Sequence, residues 1–257
     1  MKLKLMIFLI LINSSCIFLT GVYADTIIIR PSSQDSWIRE ISPDSNAGTV
    51  YQMNVKTIGT LFEDRSIVRF DLSGIPPSVE ISSATLYLWK QTGLDTSPAG
   101  RTYWAYQVTS DWTETGVTWN SRDGTNPWTT PGGDYTTVDG ASTTVPASNY
   151  ILMGWDVTEI VLNWWVDGDP NYGFLILDPT EDTVTSGVRF YTKENAGSEE
   201  DNVWPYLEII TTSPPPVGGE ILPFNNLLLC APYMIGILTV LLLIHLGRSY
   251  RARSYPS

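Results

Sequence analysis

The chain of 257 residues holds one histidine and two cysteines, and none of the three lies in its long central stretch: Cys16 and Cys230 fall in apolar runs near the two ends, and His245 closes the second run. Residues 25–213 therefore offer no disulfide, no thiol nucleophile, no Ser-His-Asp or Cys-His relay, no imidazole acid or base and no ordinary zinc site. Basic charge is scarce as well. Fifteen Lys and Arg stand against 27 Asp and Glu, giving a net charge of -12 and a pI of about 4.4, and Lys2, Lys4, Arg248, Arg251 and Arg253 lie outside the central stretch. A field of that sign repels phosphate backbones and argues against nucleic acid as a partner. It weighs against polyanionic glycans too, with Arg39, Lys90 and Arg101 as the local exceptions.

The two apolar runs place the rest. Lys2 and Lys4 precede Leu5 to Ile12, and a mixed stretch ends at Val22-Tyr23-Ala24 with small residues where a signal peptidase reads, so residues 1–24 are expected to be an export signal. Leu227 to Leu246 is free of Asp, Glu, Lys and Arg. At about 1.5 Å per residue it is long enough to cross a hydrocarbon core of about 30 Å. Three arginines follow it, so the tail at 247–257 is expected in the cytoplasm and the body outside the cell. Between body and span, residues 214–226 begin with Pro214-Pro215-Pro216 and continue through Gly218-Gly219, a stiff start and a flexible joint.

In the body, 43% hydrophobic content overall and 10 Trp with 13 Tyr supply enough apolar surface for a sizeable core. Short runs rich in β-branched and aromatic residues recur between Gly, Pro, Asn, Asp and Ser turns: Thr26–Arg30, Val50–Lys56, Ser66–Asp71, Ser83–Lys90, Thr102–Val108, Gly173–Leu177, Val188–Thr192 and Tyr206–Thr211. This pattern predicts an all-β domain, an antiparallel sandwich over 25–213. One helix is expected, opening at Asp156 with Glu159 three positions on and carrying Val157, Ile160, Val161 and Trp164 at helical spacing before Gly168. Residues 121–148 form a Gly/Thr/Pro/Ser-rich stretch, either a binding loop or a cover. Trp128 and Tyr135 within it either pin it to the sandwich or face a ligand.

Several segments appear together in order: Asp35-Ser36-Trp37-Ile38, Pro43 to Gly48 (PDSNAG), Ser66 to Pro76 (SIVRFDLSGIP), Ile81 to Leu88 (ISSATLYL), Trp112 to Asn120 (WTETGVTWN), Trp155 to Thr158 with Trp165, Asn171 to Phe174 and Pro205 to Ile209. This series resembles the disaggregatase-related DNRLRE modules. The resemblance implies a jelly-roll-like β-sandwich of the carbohydrate-binding-module kind, attached to secreted or surface proteins. The linker, span and arginine tail resemble the anchor ends of archaeal exported proteins.

Alternation along Ala84-Thr85-Leu86-Tyr87-Leu88-Trp89 puts the aliphatic residues on one face and turns Tyr87 and Trp89 to the other. Tyr103 and Trp104 open a second aromatic strand. Sugars present flat patches of C–H rimmed by hydroxyls, which dock on aromatic faces beside polar groups. Tyr87, Trp89, Tyr103, Trp104 and Trp128 are therefore the expected glycan-contacting residues, while Trp112 and Trp119 are expected to pack. Three carboxylate groupings, Asp111 with Glu114, Glu63 with Asp64, and Glu199-Glu200-Asp201, raise the possibility of a glycosidase pair, whose carboxyls stand about 5 to 9.5 Å apart. Acids are common in this composition, and no catalytic residue is expected. No cofactor is required, and an exported chain with oxygen donors only would take calcium as a structural ion. Asp167 to Asn171 superficially resembles a ligand loop. The function expected is a non-catalytic surface module that binds envelope or extracellular polysaccharide. The alternative is a structural or adhesive envelope protein that meets another protein.

Overall fold

The computed structural model describes residues 23–57, 62–95, 97–180, 186–195 and 203–213. The span, linker and tail expected beyond residue 213, nearly all of the export signal, and Glu199-Glu200-Asp201 lie outside the described residues. Among those described, no helix is long and apolar enough to cross a membrane.

Among the described residues, eleven strands and one helix form the body: β1 Tyr23–Ile29, β2 Gln34–Arg39, β3 Gln52–Thr57, β4 Asp64–Arg69, β5 Glu80–Asp95, β6 Thr102–Val108, β7 Tyr135–Thr144, β8 Ile151–Asp156, α1 Thr158–Trp165, β9 Phe174–Leu177, β10 Ser186–Tyr191 and β11 Tyr206–Ser213. All eight expected strand runs correspond to strands. The helix is there too, but its N-cap position is Val157. Asp156 instead ends β8, and its carboxylate accepts the Thr158 N–H at 3.2 Å.

Every pairing is antiparallel. The ladder runs β1-β11-β5-β10-β3-β4-β9-β6-β7, with β8 on the free edge of β5 and β2 on β4. Its narrowest point is the β3–β4 seam, a single register pair, Lys56 with Asp64. The sheet curls about this seam so that its two halves face each other. The main core takes Val55 of β3, Leu86 and Leu88 of β5, Trp155 of β8, Phe190 of β10 and Leu207 of β11 from one half, and Val68 of β4, Tyr103 of β6 and Phe174 and Ile176 of β9 from the other. Buried polar atoms bridge the halves: the Trp155 indole N–H donates to the Tyr103 carbonyl at 3.1 Å and the Tyr103 hydroxyl to the Val55 carbonyl at 3.4 Å. Helix α1 adds Ile160, Val161 and Trp164 to the same core.

The β2-β4-β9-β6-β7 half is covered on its outer side as well. Strand β9 (FLIL) is buried at all four positions, Phe174 and Ile176 facing the main core and Leu175 and Leu177 a second one. A continuous apolar run is what a strand buried on both faces requires. The second core is closed by the β6–β7 connection, residues 109–134, which lowers Trp112, Val117, Trp119 and Trp128 onto Ile38, Ile67 and Leu175. Hydrogen bonds hold this cover: the Trp112 indole donates to the Tyr172 carbonyl at 2.7 Å, the Trp128 indole to the Thr118 carbonyl at 2.9 Å, and the Asn46 amide to the Glu114 and Val117 carbonyls, both at 2.7 Å. The stretch 121–148 is thus a cover followed by a strand. Its second half, β7, escaped the strand pattern because YTTVDGASTT is mostly polar and exposed, with a register shift in its pairing with β6.

Trp112 is 1% exposed at the centre of the second core. Trp112→Ala is expected to cost about 3–5 kcal/mol through the cavity it leaves, read as a lowered midpoint in urea unfolding.

Candidate functional site

On β6 the pleat turns Tyr103 and Ala105 into the main core and Trp104 and Tyr106 to the other side. Trp104 and Tyr106, two residues apart, lie parallel with ring centroids 5.6 Å apart, and Tyr106 stacks in turn on Tyr135 of β7 at 5.4 Å. The row closes this tightly because its neighbour on β7 is Gly140. A Cβ at that position would lie 2.3 Å from the Tyr106 ring. Beyond Tyr135 the row passes to Arg65 of β4, whose guanidinium carbon sits 5.8 Å from the Tyr135 ring and 4.8 Å over Trp119. Arg65 is held from behind by Glu63 and by the Gly132 carbonyl at 2.8 Å.

The row ends in a cleft of about 480 Å³ lined by Arg65, Tyr135, Asp134 and the hydroxyl-bearing residues Thr109, Ser110, Thr129 and Thr130. Asp134 organises its polar wall, accepting the Ser110 hydroxyl at 2.8 Å and the Thr129 and Thr130 N–H groups at 3.1 Å. Burial alone would raise the Asp134 carboxyl. The Thr129 N–H, the Ser110 hydroxyl and the Thr130 N–H outweigh it and hold the group below its ordinary value, so it stays an anion and an acceptor. The cleft is an open depression in which one aromatic ring, Tyr135, stands among hydroxyls, a carboxylate and a guanidinium.

The other half of the sheet carries a second aromatic face. Leu86 and Leu88 are fully buried while Tyr87 and Trp89 are half-buried on the opposite side of β5. Tyr87 stacks on Tyr206, its register partner on β11, at 4.7 Å, and the Arg30 guanidinium lies 4.3 Å over Tyr206. A further cleft, of about 520 Å³, opens beside Trp164, Trp165, Gln34, Arg69, Asp71 and Asn171. The buried Trp164 indole N–H and Gln34 carbonyl oxygen beside it have no hydrogen-bond partner.

The expected contact residues divide accordingly. Tyr87, Trp89 and Trp104 keep accessible ring surface. Tyr103, at 0% exposure, packs between the two halves, and Trp128, at 3%, roofs the second core, so neither presents a ring to a ligand. Both faces of β6 are lined with large rings, and alternation alone does not say which set faces inward. Tyr106, Tyr135, Tyr206 and Arg65 join these faces through cross-strand register, which the linear pattern does not carry. The expected basic exceptions are consumed internally. Lys90 is fully buried and donates to the Pro146 and Ser148 carbonyls at 2.6 and 2.8 Å, Arg101 pairs with Asp178 at 2.6 Å, and Arg39 lies over Trp37. The acidic pairs also separate: Asp111 meets Arg69 at 2.8 Å while Glu114 turns to Lys193, and Glu63 holds Arg65 while Asp64 faces Arg39 at 3.8 Å. Asp167 and Asp169 are exposed in the turn from α1 to β9.

The body is thus a curled antiparallel sandwich with stacked aromatic rings on both halves and a polar cleft beside one set of them. The sequence profile of carbohydrate-binding module family 96 matches residues 28–210, and the chain belongs to that family. No curated protein matches the chain.

Asp64, beside Arg65, is pushed by burial from its ordinary 3.8 up to about 6, against the opposing pull of Arg39 and Lys56. The folded chain therefore holds a proton there that the unfolded chain releases, and stability falls as pH rises through the window from 3.8 to about 6. The loss is about 3 kcal/mol at most. Asp64→Asn is expected to remove that part of the slope, read as the difference between wild-type and variant unfolding free energies from pH 4 to pH 6.5.

Proposed function

We propose that the protein is a non-catalytic glycan-binding module, displayed outside the cell on its C-terminal apolar segment, and that it grips a glycan chain on the half-buried Trp104 and Tyr135 rings, which the buried Tyr106 stacks between and supports, with one sugar seated in the adjoining cleft. The observation that carries this reading is the continuity of the row with a cleft whose walls are hydroxyls, an anionic acceptor and a guanidinium. Ring surface covers sugar C–H patches while Asp134, Arg65 and the Thr and Ser hydroxyls answer the ring hydroxyls. The acidic body and the internal pairing of Lys90 and Arg101 favour neutral over polyanionic glycans. Export by the first 24 residues and anchoring by Leu227 to Leu246 rest on the hydropathy and charge of those segments. Membership of a binding-module family and a body without His or Cys support the absence of catalysis. Tyr87 and Trp89 with Tyr206 are the second surface on which a glycan chain would lie.

Affinity electrophoresis of the full chain in gels containing a panel of neutral and acidic polysaccharides tests this. Retention by a neutral polysaccharide is expected, with Trp104→Ala and Tyr135→Ala each weakening it about tenfold and leaving the unfolding midpoint within a few degrees of wild type. Loss with Trp89→Ala instead moves the site to β5. No retention by any polysaccharide, together with specific capture of an envelope protein, replaces the reading with an adhesive one, for which Val138, Tyr150 and Ile151 are the exposed apolar contacts. Release of reducing ends from any polysaccharide overturns the non-catalytic assignment.

A further inference from the structure

Away from both aromatic faces, three carboxylates from distant parts of the chain converge. Asp35 lies in β2, Glu114 in the β6–β7 cover and Glu194 just after β10, and each offers a ligand oxygen within 4.8 Å of the others. The approach of Glu114 is seated on Gly48, where a Cβ would stand 2.1 Å from the Glu114 carbonyl oxygen. Glu114 also accepts the Asp35 backbone N–H at 2.9 Å.

Among the described residues, the three carboxylates share one ammonium, that of Lys193, which contacts both Glu114 and Glu194. Asp35 is 0% exposed. One of its carboxylate oxygens accepts the Ser32 hydroxyl and the Lys193 backbone N–H; the other, Oδ1, is buried without a hydrogen-bond partner, as is Oε2 of Glu194. A buried carboxylate oxygen without a donor is costly unless the group takes up a proton or a cation sits against it.

The geometry points to a calcium site formed by Asp35, Glu114 and Glu194, in which the ion sits against the unpartnered carboxylate oxygens and staples β2, the 109–134 cover and the segment after β10 to one another. All donors are oxygen, as a hard cation requires. Size selects among hard cations. Calcium holds its oxygens at about 2.3–2.6 Å, so ligands up to about 5.2 Å apart can share one ion, and the three carboxylate oxygens all lie within 4.8 Å of one another. Magnesium, at about 2.0–2.1 Å, spans only about 4.2 Å and keeps most of its waters. The residues that line the glycan cleft are not among the ligands, so this site stands or falls independently of glycan binding.

The test is thermal unfolding of the full chain, stripped with EDTA and dialysed, followed by tryptophan fluorescence as calcium is added, with isothermal titration calorimetry for stoichiometry. One ion per chain is expected, and at a hundredfold excess over Kd the midpoint rises by about 5–10 °C. Asp35→Asn and Glu194→Gln keep side-chain volume and remove charge, and both are expected to abolish the rise. Should Asp35→Asn not fold, the half-buried Glu194→Gln decides alone. The assignment is overturned by no calcium response in the wild type, by an undiminished response in Glu194→Gln, or by an equal rise with magnesium.

Discussion

The constraint on which the rest of the structure depends is that the β4-β9-β6 part of the sheet must be dry on both faces. Its inner side meets the opposite half of the curled sheet, and its outer side carries Ile67, Leu175, Leu177 and Tyr106, too much apolar surface to leave in water. The β6–β7 connection is therefore long and rich in tryptophan because it roofs a core. The ends of that roof, where Tyr135 and Arg65 emerge and the Thr109–Ser110 and Thr129–Thr130 backbones bend around Asp134, form the cleft. Cover and cleft are one device.

That arrangement explains how a body without cysteine keeps a defined surface. In place of a disulfide it has hydrogen bonds from buried indoles, Trp112 to Tyr172, Trp128 to Thr118 and Trp155 to Tyr103, each tying an aromatic ring to a backbone carbonyl of another element or another part of the cover. These bonds satisfy the one polar atom of each ring and make its orientation specific. Lys90 does the same for the turn before β8, spending its charge on two carbonyls instead of on solvent.

The fold was legible where strand chemistry is local. β-branched and aromatic runs marked eight strands, and alternation in β5 correctly divided Leu86 and Leu88 from Tyr87 and Trp89. β2 and β8 were overlooked because QDSWIR and ILMGWD interrupt the apolar pattern with buried polar residues or glycine, and β7 because its exposed face and edge position need no apolar residues. The site was less legible. Tyr103 and Trp128 are rings of the same type as Trp104 and Tyr135, and only the layer order decides which are covered. Asp35, Glu114 and Glu194 stand 79, 80 and 159 positions apart in pairs and meet only through the fold. Binding-module character, by contrast, was carried by the order of short segments across the whole body, and the family match spans that same body.

Strand β11 ends the body at Ser213 and is paired along both edges, with β1 from Tyr23↔Ser213 to Ile29↔Leu207 and with β5 from Tyr206↔Tyr87 to Thr212↔Glu80. The polypeptide that continues toward the C-terminus thus departs from an interior strand. A pull arriving through that exit is shared between two ladders at once, so the body meets mechanical load at a strand bonded on both sides and not at a frayable edge.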